Sequence, residues 1–196
     1  NEDLREKTRK DLHILDHEII IGSVGRFDAL KDYESFVRAA SLVDKKIENI
    51  RFMIIGRDIN INNSKLNFMI NDNNMLDKII LIDEQDSLEA YYSSMDVFCL
   101  HSISEGFPNV LAEAMSYELP CVSTDAGDAK VMLMGGEFIC NIKDFDSLAN
   151  GLIKICSLTS KKRYEIGTKN SQIISENYNI DKIHSLYRET YEKTIS

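Results

Sequence analysis

Four stretches of this chain are apolar but for a single serine, Ser23: Ile19-Ile-Ile-Gly-Ser-Val24, Phe52-Met-Ile-Ile55, Ile79-Ile-Leu-Ile82 and Val97-Phe-Cys-Leu100. They lack the polar alternation of a strand with one face in water. Runs of this kind are buried on both faces, as strands are inside a parallel sheet. They predict strands over 18–25, 51–56, 78–83 and 96–101, with two more over 119–124 and 137–142. Amphipathic segments lie between them. Phe36, Ala39, Ala40 and Val43 recur at helical spacing within 31–44. Helices are also expected over 87–94, 144–158, 161–177 and from Asp181 to the end, and an Asn-rich loop over 58–65 leads into a helix ending near Asn74. Strands alternating with helices give an α/β class: a Rossmann-like parallel sheet of about six strands with helices on both faces. Residues 1–17 are charged and read as a linker or lead-in helix, leaving 18–196 as one domain.

A net charge of -9 argues against a general nucleic-acid partner. No apolar run approaches the roughly 20 residues of a membrane-spanning helix, and the opening Asn1-Glu-Asp-Leu-Arg-Glu does not read as a signal peptide. Cys99, Cys121, Cys140 and Cys156 have no Cys-x-x-Cys spacing and read as buried, reduced thiols of a cytosolic protein. His13, His17, His101 and His184 form no ligand cluster, so no metal site is expected.

Two loops at the carboxyl ends of strands carry the candidate chemistry, where open α/β sheets bind ligands. The first, Gly22-Ser-Val-Gly-Arg-Phe-Asp-Ala-Leu-Lys-Asp32, offers Gly25 for close backbone approach and two cations, Arg26 and Lys31. Arginine grips a phosphate through paired hydrogen bonds and lysine adds a point charge. It is neither a Gly-x-Gly-x-x-Gly turn nor a Walker loop. The second, Glu105-Gly-Phe-Pro-Asn-Val-Leu-Ala-Glu113, sets two carboxylates around a helix start. Pro108 suits a first turn. Asn109, Glu113 and Ser116 form a polar stripe, and the free N–H groups at the helix start favour an anion. A glutamate on a mostly apolar helix needs a partner: a sugar or ribose hydroxyl, or an internal donor.

With Arg26 and Lys31 upstream, the Glu105-x7-Glu113 spacing resembles the donor-binding, C-terminal half of the retaining glycosyltransferases of family four, which have the GT-B fold. Pro120-Cys-Val-Ser-Thr-Asp-Ala-Gly-Asp128 is similar to a subgroup common in bacterial capsule and exopolysaccharide synthesis. The resemblance covers nearly the whole chain. It implies that Arg26 and Lys31 hold the donor diphosphate and stabilise the leaving nucleoside diphosphate. Glu105 would bind hydroxyls of the transferred sugar. The N–H groups of Gly106, Phe107 and Asn109 would meet sugar and phosphate, Val110 would line the site, and Glu113 would bind the ribose. The base would lie near Arg57 and the strand end Ile82-Asp83. It implies no cofactor and no metal, a nucleotide-sugar donor, most simply uridine-linked, and a saccharide or lipid-linked acceptor. It further implies a cytoplasmic enzyme, peripheral at the inner membrane face through the acceptor half.

An N-terminal acceptor domain is absent from this sequence, so the chain is expected to be the C-terminal domain of a longer enzyme and inactive in transfer alone. Glu118 and Asp32 stand where the broader family has glycines, and Asp128-Ala-Lys130 replaces a Gly-x-Pro run. At Glu118 a non-glycine residue either adopts a left-handed conformation, at a cost of about 1 kcal/mol, or ends the helix differently. Other readings are a non-catalytic nucleotide-sugar binding module, which would more easily have lost one of the four charged residues, and an epimerase-like GT-B protein, which would lack the double-glutamate spacing.

Overall fold

The computed structural model describes residues 2–179 together with Lys182 and Arg188; apart from those two residues, the helix expected from Asp181 lies outside the described residues. The chain begins with helix α1 (Glu2–Asp11), strand β1 (Ile19–Val24), helix α2 (Tyr33–Asp44) and strand β2 (Ile50–Ile55). It continues through α3 (Ser64–Asp72), β3 (Ile79–Ile82), α4 (Glu89–Ser94), β4 (Val97–Leu100) and α5 (Asn109–Ser116). Last come β5 (Cys121–Thr124), α6 (Ala129–Met132), β6 (Ile139–Cys140), α7 (Phe145–Cys156) and α8 (Ser160–Asn177).

The strands form one six-stranded sheet in the order β3-β2-β1-β4-β5-β6, with every pairing parallel. The expected fold class is therefore observed. Successive residues of β1 feed opposite cores. Ile21 packs with Phe36, Val37 and Ala40 of α2 and Leu148 and Leu152 of α7. Ile20 packs with Tyr92, Met95, Leu111 and Met115 on the other face. Burial on both sides is what the apolar runs required. The strand order reverses between β1 and β4, and at such a switch point the carboxyl ends of two strands open a crevice.

Some boundaries depart from the sequence reading for local reasons. Helix α2 begins at Tyr33 rather than Lys31, because Ala29–Lys31 forms a separate 3-10 turn capped by Asp28. Asp32 then takes a left-handed conformation (φ 52°) and caps α2 through Ser35 N–H. Strand β6 spans two residues rather than 137–142, and the one-turn α6 was not expected. Glu118 is left-handed (φ 57°), the first of the two ways in which a non-glycine can end that helix. Behind it, a side chain at Gly167 of α8 would sit 1.7 Å from the Glu118 carbonyl oxygen, and Asn170 donates to Leu119 O at 2.9 Å. Glycine at 167 is what lets α8 lie against the end of α5.

The charged N-terminal segment is a helix, and it is docked. Arg9 is 4% exposed. It donates to Asp96 Oδ2 (3.2 Å) and to the carbonyls of Ser94, Leu15 and Glu18. Arg5 reaches Asp96 Oδ1 at 2.5 Å. Asp96 also accepts from Ile20 N–H (2.8 Å), tying α1 to the β1–β4 junction. All four cysteines are free and buried. Burial raises each thiol, Cys140 to about 11 and Cys156 to about 12.

Candidate functional site

Apolar β1, β4 and β5 carry buried polar residues at their carboxyl ends: Ser23, His101, Ser102, Ser123 and Thr124. Polar groups are buried there at a cost unless they are hydrogen-bonded, and these are. His101 Nδ1 contacts the carbonyl oxygen of Lys31, and its Nε2 lies 2.8 Å from Ser23 Oγ. A carbonyl can only accept, so Nδ1 carries the proton and Ser23 donates to Nε2. The imidazole is neutral: burial lowers its pKa to about 4, against the opposing effect of the Lys31 carbonyl. Thr124 Oγ1 donates to Ser102 O at 2.7 Å, and Ile103 N–H donates to Leu30 O at 2.7 Å. The loop after β4 is thus fastened to the loop after β1 and to the end of β5.

This frame brings Lys31 and Glu105 together, with Nζ 2.5 Å from Oε1 and both side chains largely shielded from solvent. Glu105 Oε1 also accepts from Ser102 Oγ at 2.6 Å. Among the described residues no hydrogen bond involves Oε2. Gly25 lies beside the Lys31 stem, and its carbonyl accepts from Tyr33 at 2.5 Å. Burial raises the Tyr33 pKa well above the ordinary phenol value, so the hydroxyl keeps its proton.

Two glycines hold the crevice floor. A Cβ at Gly56 would meet Gly25 O at 2.2 Å, and one at Gly127 would meet Gly106 O at 2.2 Å and Glu105 O at 2.5 Å. Gly127 is also left-handed (φ 56°), so it answers both a steric and a conformational demand.

Pro108 is the N-cap residue of α5, and its carbonyl accepts from Leu111 and Ala112 N–H. The N–H groups of Gly106, Phe107, Asn109 and Val110 have no partner among the described residues, and no side chain caps this end. Gly106, Phe107 and Asn109 are exposed and Val110 is half-buried. The Phe107 ring lies 5.4 Å from that of Tyr178. Glu113, one turn into α5, is exposed, so it is not a core residue. It has an internal donor nonetheless: Tyr92 Oη donates to Oε2 at 2.9 Å. Burial and then the Glu113 charge raise the Tyr92 pKa, so this donor also keeps its proton.

The other expected residues stand apart. Arg26 is 64% exposed and pairs weakly with Asp28 at 3.4 Å, not with Lys31 or Glu105. Arg57 forms a bidentate pair with Glu84 (3.0 and 2.9 Å). Asp83 accepts from Glu84 N–H and from Asn60, which lower its pKa. Ile82 is buried at the end of β3. A cavity of about 850 Å³ adjoins this region through Phe27, Asp32, Tyr33 and Ile103 but is lined by neither Lys31 nor Glu105. Among the described residues no three His, Cys, Asp or Glu side chains converge as metal ligands.

Sequence reasoning missed His101, Ser102, Tyr92 and Tyr33. Their one signal was position: His101 and Ser102 follow an apolar strand, where a polar pair is unlike the run before it.

Residues 4–172 match the glycosyl transferases group 1 family. Among curated relatives, the chain is 28% identical over 160 residues to the capsular polysaccharide biosynthesis glycosyltransferase CapM of Staphylococcus aureus, covering 79% of this chain and 40% of CapM. It is 28% identical over 194 residues to an Escherichia coli UDP-Gal:alpha-D-GlcNAc-diphosphoundecaprenol alpha-1,3-galactosyltransferase, covering 94% and 48%. The chain therefore spans less than half the length of these relatives. Among solved structures, Anabaena HepE in complex with UDP and glucose superposes with a TM-score of 0.83 at 19% identity, covering 98% of this chain and 52% of HepE. The C-terminal domain of the Francisella tularensis protein LpcC gives 0.74 at 24% identity, covering 90% and 93%. With the match running from α1 into α8 and the half-length GT-B neighbours agreeing on the fold, the chain belongs to the glycosyl transferases group 1 family.

Proposed function

We propose that this chain is the donor-binding domain of a retaining glycosyltransferase. It takes a sugar from a nucleotide-sugar, uridine-linked, and works with an acceptor-binding domain that presents a saccharide or lipid-linked acceptor. The observation that carries this reading is the Lys31–Glu105 pair at the β1/β4 switch point, beside the unpaired N–H groups that open α5. A sugar diphosphate needs a hydroxyl acceptor and a phosphate donor within a few ångströms of each other. Glu105 Oε2 supplies the first, and Lys31 Nζ with the helix start supplies the second. Arg26, exposed on the adjoining loop, adds a second cation when it leaves Asp28. Charge developing on the leaving diphosphate is stabilised by these donors, without a metal. Glu113 Oε1 takes the ribose hydroxyls, and the base lies toward Arg57, Ile82 and Asp83. The names of the relatives, which act in capsule synthesis and on a diphosphoundecaprenol-linked sugar, support an acceptor of that kind.

Calorimetric titration with UDP, GDP, UDP-glucose and UDP-galactose tests the reading. Uridine nucleotides are expected to bind more tightly than GDP, and indifference to all four ligands would sink the proposal. EDTA is expected to leave the UDP affinity unchanged, since the charge is met by side chains and backbone; a drop restored by Mg²⁺ would remove the metal-independent part. Glu113→Gln is expected to lower UDP affinity about tenfold, the scale of a lost charge-assisted hydrogen bond, with the melting temperature unmoved because Glu113 is exposed. A variant that loses stability but not affinity would assign Glu113 a structural role instead.

A further inference from the structure

The two glutamates share an arrangement that their spacing does not require. Each has one carboxylate oxygen held by a protein hydroxyl and the other without a hydrogen-bond partner among the described residues. Ser102 Oγ donates to Glu105 Oε1 at 2.6 Å, and Tyr92 Oη donates to Glu113 Oε2 at 2.9 Å. Both donors are themselves fixed and buried, Ser102 at 1% and Tyr92 at 2% exposure. Thr124 holds the Ser102 carbonyl from β5. Tyr92 is wedged between Phe98 and Tyr117, with ring centroids at 6.1 and 5.3 Å. A free glutamate side chain samples several rotamers, and fixing it on ligand binding costs affinity. A hydroxyl anchored in the fold removes that cost and aims the remaining oxygen.

We infer that Ser102 and Tyr92 are positioning residues, which preset Glu105 for the sugar and Glu113 for the ribose and thereby contribute separately to donor recognition. This rests on the donor-binding reading above and extends it to two residues outside the Glu105-x7-Glu113 element. Neither touches the ligand; each acts through its carboxylate. The division of labour is the testable content, because a structural role for either hydroxyl predicts no difference between ligands.

The experiment is calorimetric titration of the chain with UDP and with UDP-glucose, on wild type, Ser102→Ala, Ser102→Thr and Tyr92→Phe. Ser102→Ala is expected to weaken UDP-glucose about tenfold while leaving UDP unchanged, and Ser102→Thr, which keeps the hydroxyl, to restore it. Tyr92→Phe keeps the ring packing and is expected to weaken both ligands by the same factor, about fivefold to tenfold. Equal loss of both ligands in Ser102→Ala, or wild-type affinities in both hydroxyl-less variants, would overturn the inference. Crystal structures of the unliganded variants give a readout that needs no ligand. Glu105 and Glu113 are expected to turn away from their present directions, and unchanged rotamers would overturn positioning. If wild type binds neither ligand, the donor-binding reading fails and these unliganded structures still decide the matter of positioning.

Discussion

Replacing Asp96 with leucine is expected to cost about 3 kcal/mol of stability, a large part of the roughly 5–15 kcal/mol that holds a domain together. The side chain is similar in size, so the loss is electrostatic rather than steric. Asp96 accepts from Arg5, Arg9 and Ile20 N–H, and Arg9 has only 5% of its side chain exposed. Removing the carboxylate leaves a guanidinium charge in a site that water does not reach, which is what makes breaking a buried pair costly. Three carbonyls, of Ser94, Leu15 and Glu18, still hold its N–H groups, so the loss falls at the lower end of the usual range. Asp96→Asn keeps an acceptor for Ile20 and is expected to lose less. Urea denaturation monitored by circular dichroism measures both. A loss below about 1 kcal/mol for the leucine variant would mean that α1 is not held by this network.

The second large effect is a pH dependence centred on His101. Burial lowers its pKa from the ordinary 6.5 to about 4, against smaller opposing contributions from the Lys31 carbonyl and the Asp32 charge. Between those values the unfolded chain binds a proton that the native protein does not. The stability contribution is therefore complete above about pH 6.5, falls as the pH drops, and is gone below about pH 4. Its full size is about 3 kcal/mol, from roughly 1.4 kcal/mol per pH unit over the window. His101→Asn does not titrate and retains a side-chain N–H for the Lys31 carbonyl. Between pH 7 and 4.5 the wild type is expected to lose about 2 kcal/mol more than this variant, the carboxylates titrating alike in both. Parallel stability profiles would show that His101 titrates normally.

The strands and their parallel pairing were legible in the sequence because burial on both faces writes itself as near-continuous apolar runs. Glu105, Glu113 and Lys31 were legible because charge at a strand's carboxyl end or on an apolar helix is conspicuous. What lay beyond reach depended on strand order. His101 meets Ser23 and Lys31 only because β4 lies beside β1, and no local pattern states that adjacency. Tyr92 reads as an ordinary apolar residue of a short helix until its hydroxyl is seen to reach Glu113 of α5. Arg5 and Arg9 look like solvated charges in a charged segment, and the burial of Arg9 follows from an aspartate 87 residues away. The Asp32 turn was hidden for a different reason: its left-handed conformation is stabilised by its own capping bond to Ser35, where composition alone suggests that the helix simply begins earlier.

The junction of β1 with β4 also sets when the protein can become competent during folding. Lys31 and Glu105 are separated by 74 residues, and Ser23 and His101 by 78. A nascent assembly of β1, β2 and β3 closes only short loops and already contains Lys31, yet it has no Glu105 beside it and no strap on the Lys31 carbonyl. Contacts of such long range form slowly, because a large loop must close before they give any return. A nucleotide ligand would then have nothing to hold until the chain has doubled back to the far side of β1. It would stabilise the completed sheet alone, so occupancy would report on finished molecules rather than on partly ordered ones.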